Sequence, residues 1–297
     1  SMKKIKAEFK IIIAMLIFGS IGIFVKLINL PSVEVVLLRT VIGSTFIGSI
    51  LLFTKQALDF KAIKQNLKVL LIAGVVLGGN WMFLFEAYQY SSVGIATLIH
   101  YSAPALVFIL SPIVLKEKLT SQKVIGIMAT IIGMLIINGI NGSGQGISLG
   151  IIYGIISASL YACIMILNKF IEDLSGLETT FIQLFIAGIV MAVYTFVTMR
   201  SSFIIPRGSD LIMVVIVGVV HTGIACYLYF SSMRELPGQT IAIMSYIDPA
   251  STLIFSAIFL QERLTLFQVF GALLILGGTA FSQLYKQSSA KQETSKA

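Results

Sequence analysis

Charge is scarce in this chain: 11% of its 297 residues are Asp, Glu, Lys or Arg, against about 25% in a soluble domain. That leaves too little polar surface to cover a water-soluble globule of this size. Cysteine is scarce as well. Cys163 and Cys226 both sit inside apolar runs, without disulfide or metal-ligand spacing. The two histidines, His100 and His221, are 121 residues apart, and neither has an acid at metal-ligand spacing on its own run. Without a nucleophile–base pair or a His-Glu-x-x-His motif, an intramembrane enzyme is excluded, and no cofactor or metal is expected. A net charge of +8 could suggest a nucleic-acid partner, but the chain has no basic face with interleaved aromatics.

What is abundant is apolar: 57% of the residues. A helix needs about 20 mostly apolar residues to cross the hydrocarbon core. Ten such runs can be read, at 9–29, 33–53, 68–90, 93–115, 121–138, 147–168, 178–199, 210–232, 239–260 and 265–285. Hydrocarbon offers the backbone no hydrogen bonds, so spanning segments are helices or a closed barrel, and the absence of alternation leaves helices. The Lys-rich start precedes an apolar run too long for a signal peptide and without a cleavage site, so it reads as the first span. With the N-terminus in the cytoplasm, sixteen of the 21 Lys and Arg fall on that side and three outside. Both termini are therefore expected in the cytoplasm of a cell with this protein in its plasma membrane.

The sequence is written twice. "HYSAPALVFILSPIVLKEKLT" (His100–Thr120) and "SYIDPASTLIFSAIFLQERLT" (Ser245–Thr265) superimpose at a shift of 145 residues. Tyr101 meets Tyr246, Pro104 meets Pro249, and Glu117, Leu119 and Thr120 meet Glu262, Leu264 and Thr265. Gly126 and Gly133 map to Gly271 and Gly278 at the same shift. Earlier, Val25–Glu34 echoes Asn168–Glu178, pairing Lys26 with Lys169 and Glu34 with Glu178. The expected organisation is a five-helix repeat over 1–138, a Gly-Ser link over 139–146, a second repeat over 147–286 and a polar tail over 287–297. Five spans is an odd number, so the second copy enters the membrane from the opposite side, the inverted-repeat architecture of many secondary transporters. The expected fold class is an all-α integral membrane protein with ten transmembrane helices in two inverted repeats.

A proline midway in the fourth span of each half, followed by Glu-x-Leu-Thr and a Gly-spaced fifth span, resembles the drug/metabolite transporter superfamily. The closest type is its EamA-like ten-helix family, and the resemblance covers nearly the whole chain. It implies a central cavity between the halves, peripheral fifth and tenth helices, alternating access, and export of a small organic solute.

Ionisable groups within spans face a cavity or a partner by default. Six qualify: Lys26, Arg39, Glu86, His100, His221 and Asp248. At about 1.5 Å per residue, Lys26, Arg39, Glu86 and His100 are expected in the outer leaflet, and His221 and Asp248 near the midplane. The repeat does not duplicate them: Ser231 stands opposite Glu86, Ser245 opposite His100 and Gln183 opposite Arg39. Packing explains duplicated residues, whereas unduplicated polar ones suggest a site. Lys26 also has a plain reading as a snorkelling cation. Trp81, Tyr101 and Tyr246 complete the candidate substrate-binding set of Glu86, His100, Asp248, Arg39 and His221. Glu86 and Asp248 are the candidates for proton coupling. GxxxG pairs at Gly74/Gly78 and Gly150/Gly154 read as close helix packing. Acids and bases together fit an amino acid or related zwitterion, carried by a monomer or homodimer in the lipid bilayer. The alternative is a proton-coupled carrier of cationic amines or drugs.

Overall fold

The apolar runs fold as helices whose ends are closed by side chains. The computed structural model describes residues 2–139, 148–198, 202–233, 235–236 and 244–294. Its elements are α1 (Met2–Leu27), α2 (Ser32–Phe53), α3 (Phe60–Tyr90), α4 (Val93–His100), α5 (Ala103–Val114) and α6 (Ser121–Gly139). After the expected link, most of which lies outside the described residues, come α7 (Leu149–Asn168), α8 (Gly176–Thr198) and α9 (Ser209–Ile216). A π-helical segment (Val217–Ile224) leads into α10 (Ala225–Met233), followed by α11 (Ile247–Phe259) and α12 (Leu266–Thr294). No strand occurs among the described residues.

Seven helical stretches are long and apolar enough to cross a membrane, and three shorter apolar helices accompany them among the described residues. Large apolar side chains cover the outside, among them Leu52 at 80% and Leu266 at 84% exposure. Such a surface belongs in lipid. The protein is a multi-pass membrane protein.

Three boundaries differ most from expectation, the first being that of α1, which starts at Met2 rather than residue 9. α3 starts at Phe60 rather than residue 68, because the Asp59 carboxylate accepts from Lys61 N and Ala62 N at 3.0 Å and caps a polar first turn. α12 continues through Thr294, into what reads as a polar tail. The stretch 239–243 of the expected ninth span lies outside the described residues.

Positions matched at the 145-residue shift fold alike. Lys116 and Gln261 both take φ 55°. Before them, Leu115 N and Glu117 N donate to the Ser111 carbonyl at 2.9 and 3.2 Å, while Leu260 N and Glu262 N donate to that of Ser256 at 3.0 and 3.1 Å. Thr120 and Thr265 cap the helices that follow, Thr265 in a reciprocal box with Gln268.

Helices pair across the halves: α6 with α12, α3 with α7, α2 with α8, α1 with α10 and α11, and α4 with α11. The matched glycines meet crosswise. A Cβ on Gly126 would lie 2.5 Å from the Gly278 carbonyl oxygen, and one on Gly133 2.6 Å from that of Gly271. Low residue number on α6 meets high number on α12, so the two run antiparallel. The GxxxG pairs also pack closely: Gly74 against Ile186, Gly78 against Met191, Gly150 against Ser91 and Gly154 against Ile99.

Candidate functional site

The fourth helix of each half breaks at a tyrosine. Tyr101 ends α4 with φ −73° and ψ 3°, and Tyr246 precedes α11 with φ −73° and ψ −10°. Pro104 has no N–H to give the His100 carbonyl, and Pro249 none for that of Ser245, which is why the ladder lapses there. Across the break the two halves touch: the Tyr101 hydroxyl donates to Asp248 Oδ2. The Asp248 carbonyl accepts from Ser251 Oγ at 2.9 Å and Thr252 Oγ1 at 3.0 Å, and Thr252 Oγ1 also lies 3.0 Å from the Gly19 carbonyl. Only glycine fits at position 19, where a Cβ would lie 2.9 Å from the Asp248 carbonyl oxygen.

His100 stands beside this pair. Its ring meets Tyr101 edge-on at 5.9 Å and stacks on Tyr161 at 4.8 Å and 15°. Its Nδ1 is 3.0 Å from Ser157 Oγ, which in turn is 2.9 Å from Asn80 Oδ1 and 3.0 Å from the Asn80 carbonyl.

Arg39 is buried on α2. Its Nε donates to Thr222 Oγ1 at 2.8 Å, and its guanidinium carbon lies 3.7 Å from the Trp81 ring centroid, a cation–π contact. Thr222 belongs to the π-helical segment, where its hydroxyl reaches the Val217 carbonyl five residues back at 3.0 Å. π-Helical turns occur frequently at functional sites. The neighbouring His221 lies with Nε2 2.8 Å from Ser20 Oγ. Ser20 Oγ is also 2.8 Å from the Ile17 carbonyl, and His221 Nδ1 is 3.4 Å from the Ile216 carbonyl. Gly19 and Ser20 adjoin on α1, as His221 and Thr222 do on the π segment. A continuous path of contacts therefore runs from Asp248 to Arg39.

Neither charge is neutralised. The ion pair among the described residues joins Glu117 to Lys123 at 3.5 Å. Arg39 and Asp248 have no countercharge within ion-pair distance there. Each is held by a neutral group: Thr222 and Trp81 for one, Tyr101 for the other.

The structure thus joins Tyr101 with Asp248, Arg39 with Trp81, and His100 with Tyr101. It does not join Glu86 to them. That side chain is half-buried and makes no hydrogen bond or ion pair with a described residue. Tyr246, the repeat mate of Tyr101, instead turns its hydroxyl to Thr279 of α12. The Lys26 ammonium donates to the Tyr88 carbonyl and, at 3.4 Å, to that of Ser91, closing the C-terminal end of α3. Thr222, Ser20, Ser157 and Asn80 escaped the sequence reading, although Asn80 is an amide in mid-span and so carries a signal. An apolar groove of about 800 Å³ between α2 and α8, lined by residues such as Val41, Gly48, Phe181 and Ile189, includes none of the ionisable groups.

A multi-pass bundle with polar groups from both halves gathered inside it is the make-up of a membrane transporter. The chain belongs to the EamA-like transporter family, whose model matches it twice, over residues 5–139 and 148–283. It is 35% identical over 293 residues to the uncharacterised transporter YxxF of Bacillus subtilis, covering 98% of this chain and 93% of that one. A "Probable amino-acid metabolite efflux pump" of Salmonella typhimurium is 27% identical over 231 residues, 72% of this chain and 76% of that one. Human "Solute carrier family 35 member G1" is 25% identical over 94% of this chain and 80% of its own length. A solved crystal structure of 19% identity shares the fold, with a TM-score of 0.64 over 95% of this chain and 98% of that one. Family and relatives are transporters, not enzymes, so the substrate is a small molecule.

Proposed function

We propose that the protein is a secondary carrier that exports amino acids or related zwitterions by alternating access between two inverted five-helix repeats. In this reading ten helices span the plasma membrane with both termini in the cytoplasm. The double match to the family model and the crosswise glycine contacts of α6 and α12 support the inverted repeat.

One observation carries the substrate class. The interior holds a cation, Arg39, and a carboxylate, Asp248, on opposite halves, each without a countercharge among the described residues. Buried charges are costly unless paired. A zwitterion supplies both missing partners at once, its carboxylate to the Arg39 fork and its ammonium to Asp248. The name of the Salmonella relative agrees with this class. Asp248 also serves as the coupling residue, because a proton and an ammonium compete for one carboxylate. Glu86, without a hydrogen-bond or ion-pair partner among the described residues, is the second carboxylate in that role. The test is thermal stabilisation by a panel of amino acids, amines and nucleosides, followed by transport in liposomes. Stabilisation by zwitterions above amines is expected. Response to amines alone would replace this reading with a carrier of cationic amines.

A further inference from the structure

His100 is held by a chain whose hydrogens can be assigned. The Ser157 hydroxyl has one hydrogen and three polar neighbours. Two of these, Asn80 Oδ1 at 2.9 Å and the Asn80 carbonyl at 3.0 Å, are oxygens that only accept. The hydroxyl hydrogen goes to them. The third neighbour, His100 Nδ1 at 3.0 Å, must then supply the hydrogen in its own bond. A ring with hydrogen on Nδ1 keeps a lone pair on Nε2. No described residue hydrogen-bonds to Nε2, and the ring is incompletely buried. A doubly protonated ring would instead present an N–H there, with nothing described to accept it.

We propose that Asn80 and Ser157 are positioning residues that fix His100 as the neutral Nδ1–H tautomer, so that its Nε2 accepts a hydrogen bond from the ammonium group of the transported solute. This rests on the zwitterion reading and deepens it. Stacking on Tyr161 and edge contact with Tyr101 set the ring beside the Tyr101–Asp248 pair. A carboxylate alone binds any cation, whatever it carries. A carboxylate beside a nitrogen lone pair asks for N–H donors, which a primary ammonium has and a quaternary ammonium lacks. The site therefore selects against quaternary ammonium groups. Its repeat mate, Ser245, has no imidazole, so the selection belongs to one half of the molecule.

The chain has two histidines, which makes the tautomer directly measurable. Full-length protein with histidine labelled in its ring nitrogens gives two sets of resonances, and His221→Gln assigns them. His100 is expected to show a protonated Nδ1 and an unprotonated Nε2. Ser157→Ala should mix the tautomers and Ser157→Thr should restore one, a response that a purely structural role would not give. If Ser157→Ala fails to fold, the wild-type spectrum still decides the assignment. A protonated Nε2 in the wild type overturns the proposal. The second arm compares leucine with its N,N,N-trimethyl derivative as stabilising ligands. Leucine should act at about tenfold lower concentration, the effect of roughly one unmade hydrogen bond. Equal action of the two overturns the ammonium role while leaving zwitterion transport standing. No action by either, with the Nδ1–H tautomer observed, overturns the zwitterion reading and the role of Nε2 together.

Discussion

Arg39 is the residue at which a functional charge can be told from a structural one. A buried cation that holds helices together needs an acid, and removing it destabilises the protein. Arg39 has Thr222 and the Trp81 face instead. Replacing it with Met removes an uncompensated charge and keeps an apolar chain on Trp81. Thr222 keeps its bond to the Val217 carbonyl. Arg39→Met is therefore expected to hold or raise the thermal midpoint while transport falls at least about tenfold, the loss of one charge-assisted bond. A fall in both would return Arg39 to structure. The sequence made each of these residues visible singly, because a charge or tryptophan in a span stands out. Their partners were not visible. Hydroxyls such as Thr222 and Ser157 normally bond their own helix backbone, so nothing in their spacing separates those that reach another helix.

At the scale of elements the repeat was plainly legible, and its consequences are specific. The shared residues are backbone residues: prolines at the breaks, threonine caps, and glycines where α6 crosses α12. Gly133→Ala would put a Cβ 2.6 Å from the Gly271 carbonyl and 3.1 Å from the Ile275 amide, both backbone. The helices must separate, at a cost of about 1–3 kcal/mol. Gly277 on the same α12 has open space around it, so Gly277→Ala gains only helix propensity, about 1 kcal/mol at most. Thermal unfolding in detergent should show Gly133→Ala lower and Gly277→Ala unchanged or higher than wild type. Equal midpoints would show that the crossing does not limit stability. The π-helical segment was not legible. Over eight residues its extra residue per turn leaves no distinct apolar period, and it shows only in the backbone of Val217–Ile224.

Orientation and coupling are properties of the whole molecule. The proposed topology, argued from the distribution of Lys and Arg, has both termini inside and the 139–146 link outside. With Cys163 and Cys226 replaced, Ser143→Cys should react with an impermeant thiol reagent in intact cells. Reaction only after lysis would reverse the topology. In the proposed mechanism coupling runs through Asp248, which lies where α11 meets α4 from the other half. The Tyr101 hydroxyl holds its Oδ2 when the halves are together, and a proton or an ammonium can occupy the same carboxylate in turn. On that proposal an ammonium binding on the cytoplasmic side would displace the proton, and a proton arriving from outside would displace the ammonium, so export would run against proton entry. Wild-type protein in liposomes should therefore accelerate export of a bound amino acid when the medium on the receiving side is acidified. Asp248→Asn keeps the shape and the hydrogen bond to Tyr101 but cannot exchange a proton, so its residual transport should ignore the gradient. Tyr101→Phe should retain the response, because the hydroxyl holds the carboxylate without carrying the charge. A wild type indifferent to the gradient, or an Asn variant that responds as wild type does, would remove Asp248 from coupling and leave Glu86 as the carboxylate to examine.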